Sequence, residues 1–101
     1  MTIIRGTTPT IQFTFSQIST ADLAVAYMVI KQGGAVVLEK SLADATVTEA
    51  GLFFALSQED TLAFAKKDGQ IVLDWKTTNG MRGRAKIYEF TTGDPGKNEV
   101  I

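Results

Sequence analysis

The stretch PTIQFTF, residues 9–15, alternates strictly, with Ile11, Phe13 and Phe15 on one side and Thr10, Gln12 and Thr14 on the other. A two-residue period belongs to a strand with one face buried and one face wet. Threonine, isoleucine and phenylalanine all suit such a pleated surface. Pro9 has no amide to give to a ladder, so it belongs at the strand's start or on an edge. Gly6, just before it, predicts a bend that separates residues 2–5 from the main first strand.

The same rhythm governs the rest of the chain. AVAYMVIKQGGAVVLEKSL predicts a hairpin with arms at residues 24–32 and 35–41 around Gly33-Gly34, a pair that tolerates a primed turn. Its first arm is apolar on both faces, which predicts a central strand covered on two sides. A buried helix over residues 21–30 is the competing reading; Val25, Tyr27, Val29 and Ile30 and the double glycine favour a strand. Residues 45–49 and 52–57 predict two further strands joined at Glu49-Ala50-Gly51.

SQEDTLAFAKKDG carries the one helix signal, near residues 58–66. Ser57 can cap it, with Asp60 three residues on. Glu59 and Asp60 favour the helix start, Lys66 and Lys67 its end, and Gly69 can stop it. Leu62 and Phe64 are expected to seal it to the core.

In QIVLDWKTTNGMRGRAKIYEF, Asn79-Gly80 marks another hairpin. A two-residue turn would set Trp75 beside Arg84 and Leu73 beside Lys86, mixing core and charge on one face. A three-residue loop, Thr78-Asn79-Gly80, with Gly80 left-handed and a bulge, instead pairs Trp75 with Gly83, Leu73 with Ala85 and Ile71 with Ile87. It also sets Asp74 against Arg84 on the outside, and this register is the expected one. The tail TTGDPGKNEVI reads as a turn and a loose end, with Val100 and Ile101 free or docked.

About seven short strands, glycine turns and one helical corner predict an all-β fold. The specific expectation is an antiparallel, immunoglobulin-like β-sandwich forming one domain over residues 1–101. A small barrel is the alternative. With 101 residues, 45% of them hydrophobic, such a chain can bury roughly two-thirds of its unfolded surface.

Composition removes several chemistries. Without cysteine there is no disulfide, thiolate zinc site or cysteine nucleophile. Without histidine there is no Ser-His-Asp triad, nor the usual base near neutral pH. A net charge of −1 gives no field to gather nucleic acid or an anionic membrane. No apolar run approaches the ~20 residues of a bilayer span, and the start MTIIRGTTPT lacks a signal-peptide pattern. A protein with no encoded export address is expected, and no cofactor or metal.

Few residues invite a functional reading. Arg82, Arg84 and Lys86 alternate on one face ahead of Tyr88, which could serve nucleic acid; a solvated outer strand that discourages aggregation fits better, with Asp74 opposite. Glu59 and Asp60 point apart on a helix and suit its N-terminus better than acid–base work or calcium. GTT, TTGDPG and GMRG match neither phosphate-binding glycine motif and read as turns. Trp75 reads as core. Ile3 and Ile4 belong to an apolar N-terminal segment that could add to a neighbour's sheet, although ordinary core packing accounts for it too. The candidate partner contacts are therefore Ile3, Ile4, Arg82, Arg84 and Lys86; catalytic, cofactor and metal residues are none.

IIRGTTPTIQFTF at residues 3–15 resembles the start of a family of short phage and prophage proteins of Gram-positive bacteria. The likeness continues through AYMVIKQGGAVVLEKSLADATV, LSQEDTLAF and the closing VI, and so spans nearly the whole chain. Such proteins look similar to the N-terminal attachment domain of phage baseplate upper proteins, an immunoglobulin-like sandwich. The resemblance implies a non-enzymatic tail or baseplate component, in the virion or in host cytoplasm before assembly. Its partners would be other phage structural proteins or itself, as a homo-oligomer. WKTTNGMRGRAKIYEF departs from the family's penultimate hairpin, and no second domain follows, so an adaptor or accessory role is expected over host binding. A small-ligand or carbohydrate-binding module is the alternative; a cleft rimmed by exposed aromatics would favour it.

Overall fold

A computed structural model describes residues 1–16, 18–84 and 88–101 of the chain. Its described residues form nine strands and one short α-helix: β1 (Thr2–Ile4), β2 (Thr10–Phe13), β3 (Leu23–Gln32), β4 (Ala35–Ser41), β5 (Thr46–Thr48), β6 (Gly51–Ala55), α1 (Gln58–Leu62), β7 (Gly69–Thr77), β8 (Arg82–Arg84) and β9 (Tyr88–Gly93). One sheet runs β1-β9-β7-β3-β4, with β8 also paired to β7; the other runs β2-β6-β5. All pairs are antiparallel except β1 with β9. The order β9-β7-β3-β4 against β2-β6-β5 is that of a variable-type immunoglobulin sandwich, G-F-C-C′ against B-E-D.

The expected alternation decides what lies between the sheets. Ile11 and Phe13 from β2, Leu52 and Phe54 from β6, Ala26, Met28 and Ile30 from β3, and Ile71 and Leu73 from β7 are all buried. Phe13 packs edge-on to Phe54 and reaches across to Tyr88, with ring centres 6.0 and 5.7 Å apart. Trp75 sits half-buried at the core margin, edge-on to Phe15 at 5.9 Å. Thr10 and Gln12 face solvent.

Both turns follow their glycines. Gly33 and Gly34 have φ of 60° and 82° and join β3 to β4 with two residues, the primed geometry that matches strand twist. After β7, the Gly80 amide donates to the Thr77 carbonyl at 3.0 Å and the Thr77 amide to the Met81 carbonyl at 2.8 Å. With Gly80 at φ 90°, the three-residue loop is the one formed. Asp74 faces Arg84 and Trp75 faces Gly83, as the burial pattern requires. The expected partner Ala85, and Ile87 itself, lie outside the described residues; Ile71 pairs with Tyr88 rather than Ile87. The register of β9 on β7 is thus offset by one residue from that of β8, and the offset turns Tyr88 inward.

Three expectations are corrected. Helix α1 is shorter than residues 58–66: it ends at Leu62, because Phe64 leaves the helix to stack on Phe90 in the core at 5.7 Å. Lys66 and Lys67 lie beyond it, Lys66 pairing with Asp94 at 2.5 Å, and Gly69 opens β7 instead. Strand β3 is central but covered on one side alone, since its outer residues Val25 and Tyr27 are exposed. The antiparallel expectation also fails for β1, whose ladder with β9 is parallel.

Candidate functional site

The N-terminal segment changes sheets within a few residues. β1 lies on β9 with Ile3 buried in the core, whereas β2 lies on β6 in the other sheet. Between them the chain is held by the last residues of α1, Thr61 and Leu62. The Gly6 amide donates to the Thr61 hydroxyl at 2.9 Å, and that hydroxyl donates to the Thr7 carbonyl at 2.8 Å. Arg5 Nη2 donates to the Leu62 carbonyl at 2.8 Å, and the Leu56 amide to the Pro9 carbonyl at 2.9 Å. Thr61 is completely buried. Two separated sequence blocks, RGTTPT and SQEDTL, thus grip one another.

Helix α1 is organised by a full capping box. The Asp60 amide donates to Ser57 Oγ at 3.0 Å and the Ser57 amide to Asp60 Oδ2 at 2.9 Å. Burial pushes the Asp60 carboxyl up, but the Ser57 amide and the Lys40 ammonium 3.3 Å away outweigh it and hold it below its ordinary value. The tail is pinned here too: the Ile101 amide donates to Gln58 Oε1 at 2.7 Å, while the Ile101 side chain stays exposed.

The two outer faces of the sandwich differ in chemistry. On the smaller sheet, Thr10, Gln12, Thr46 and Thr48 are exposed around a half-buried Phe53. On the larger sheet an apolar stripe crosses the strands: exposed Val25 and Tyr27 and half-buried Val29 on β3, exposed Val36 on β4, and Val72 on β7, which its neighbours leave only 7% exposed. Tyr27 is 45% exposed and Val36 56%. Beside Tyr27 a shallow slot of about 210 Å³ runs between Val25, Trp75 and Arg82.

Charge rims that stripe and, at Asp74 beside Tyr27, enters it. Arg84 donates through Nε to Asp74 Oδ1 at 2.8 Å, and this bond raises the guanidinium pKa further. Lys76 and Arg82 pair on the same side, and Glu39 lies on the opposite edge. The larger sheet thus turns a mainly apolar stripe with flanking charge to the outside.

The sequence-derived contact residues divide accordingly. Arg82 and Arg84 lie exposed on this rim; Ile4 is 39% exposed on the distant β1; Ile3 belongs to the core rather than to a contact surface; Lys86 lies outside the described residues. Tyr88 does not share the arginines' face, because it points inward at Phe13. Val25, Tyr27, Val29 and Val72 were not singled out as contacts, since an apolar run on a central strand reads equally as double cover. The solvent-facing charges opposite them, Asp74 and Lys76, were the signal that this face is open.

A depression of about 670 Å³ lies at the β3–β4 turn among Lys31, Gly34, Asp68, Glu89 and Thr91. Its one aromatic, Phe90, is buried, so it lacks an exposed aromatic rim. Among the described residues no three carboxylates converge as a metal site, and no helix is long and apolar enough to cross a membrane.

No family model matches the chain, and no curated protein matches it. Among solved structures it is similar to the immunoglobulin-like domain of mouse leukocyte-associated immunoglobulin-like receptor 1, crystallised as a strand-swapped dimer. The two share 15% identity over 91% of this chain and 85% of that one, with a TM-score of 0.54. The V domain of amphioxus IgVJ-C2 also matches, at 8% identity over 92% and 99% of the chains and a TM-score of 0.39. The protein is an all-β, immunoglobulin-like sandwich.

Proposed function

We propose that this protein is a non-enzymatic structural module, a tail or baseplate adaptor of a phage or prophage particle that acts through protein–protein contact. The observation that carries the contact reading is the asymmetry between its outer faces. A wet sheet surface has no physical reason to expose Tyr27, Val25 and Val36 together while the opposite sheet presents threonines. The resemblance of residues 3–15 and 56–64 to short phage proteins supplies the setting, and the mutual docking of those two blocks gives them a shared structural role.

Particles purified from cells that carry the gene test the proposal. The chain is expected in them at a stoichiometry matching other tail parts, and Tyr27→Glu, which leaves the core untouched, is expected to remove it. Its absence from intact particles would overturn the virion reading.

A further inference from the structure

We infer that the apolar face of the larger sheet pairs with the same face of a second copy of this chain, through a two-fold axis that sets Glu39 of each copy on Arg84 of the other. The inference rests on the reading of this face as a protein-contact surface and names its occupant.

The strand register carries it. Glu39 on β4 lies opposite Val29 on β3, which lies opposite Val72 on β7; Tyr27 lies opposite Asp74, which lies opposite Arg84 on β8. Glu39 and Arg84 therefore stand three strand spacings and two residues apart, about 16 Å across the face for ordinary sheet dimensions. Their midpoint falls among Tyr27, Val29, Val72 and Asp74, the centre of the apolar stripe. A two-fold axis through that point, lying in the interface and perpendicular to the Glu39–Arg84 line, exchanges the two ends. It lays Tyr27 on Tyr27, with the largely covered Val72 beneath the axis, and brings Lys31 of one copy towards Glu89 of the other. One patch thus answers itself in shape and in charge, the requirement of an isologous contact.

The groups at the ends are free to do this. Glu39 is exposed and makes no ion pair among the described residues. Arg84 spends one N–H on Asp74, and a guanidinium has five. The face measures about 19 by 27 Å on the same sheet dimensions, at the small end of specific interfaces. The dimer is accordingly weak and concentration-dependent rather than permanent.

Sedimentation velocity from micromolar to near-millimolar protein reads the equilibrium. The native chain is expected to pass from monomer to dimer, and Tyr27→Glu to weaken the dimer about thirtyfold or more while its circular dichroism and melting stay native. Glu39→Arg and Arg84→Glu proteins are each expected to stay monomeric alone, because every end contact then opposes like charges. Mixed, they are expected to form a heterodimer in which both end contacts are attractive, a result that a merely structural effect on either fold cannot produce. A native chain that is monomeric throughout, or a mixture that fails to associate, overturns self-pairing. If the native chain is monomeric and Tyr27→Glu is nevertheless lost from particles, the face serves a different structural protein and the functional proposal stands alone.

Discussion

Trp75 lies against Gly83 across the β7–β8 pair: a Cβ placed on Gly83 would collide with Cζ2, Cε2 and Cη2 of the indole. The glycine is there for room, since the indole occupies the space a side chain would fill, with Phe15 edge-on behind it. The pairing also reports the bulged register, because a two-residue turn would have set Trp75 beside Arg84.

Gly83→Val should therefore push the indole out of its place. Overpacking of this kind costs about 1–3 kcal/mol. Trp75 is the chain's one tryptophan, so its emission is expected to shift to the red in the native state, alongside a lower urea midpoint. Unchanged emission and stability would contradict the packing described.

Gln32 is buried and latches the chain after α1: its Nε2 donates to the Ala65 and Lys67 carbonyls at 2.8 and 2.9 Å, and its Oε1 accepts the Ala65 amide at 2.8 Å. Gln32→Leu fills similar space but leaves that amide without its partner. The expected loss is about 1–3 kcal/mol in urea unfolding, with faster exchange of the Ala65 amide.

Thr61→Val removes the hydroxyl that holds Gly6 and Thr7 while keeping the shape. Because Thr61 is buried, water cannot take over its bonds, and about 1–3 kcal/mol should be lost. The damage is expected to be local first, with exchange and proteolysis rising at residues 2–8 before global unfolding.

Asp60 gives the protein an acid-side weakness. Its folded pKa lies below its unfolded value, so its stabilisation is full above the unfolded value, about 3.9, and disappears as pH falls through the lower folded one. Asp60→Asn should cost about 1 kcal/mol at neutral pH, the usual worth of such a cap. Below about pH 4 the gap between mutant and native melting temperatures is expected to close. A gap constant down to pH 2 would contradict the assigned charge interactions.

Where side chains alternate, the sequence was sufficient: Ile11 and Phe13 inward, Thr10 and Gln12 outward, and a bulge at Gly80 that keeps Trp75 off the arginines. Long-range events were not legible. Three residues of β1 carry no period from which a parallel partner could be read, and its position depends on Thr61, fifty-odd residues away in sequence. The one-residue offset between the β8 and β9 registers on β7 inverted Tyr88, which no local pattern announces. The open outer face was hidden for a related reason: Val25, Tyr27 and Val29 fit a doubly covered strand, and only the tertiary layout leaves the first two exposed and the third half-buried.

A photoactivatable residue placed at position 27, with a control at position 12 on the opposite sheet, tests the role of that face in assembled particles most directly. The expected outcome is crosslinking from position 27 to a particle protein or to a second copy, with little from position 12. Equal yields from both positions, or crosslinks from position 12 alone, would contradict the assignment of the β3–β7 face as the surface by which this protein works.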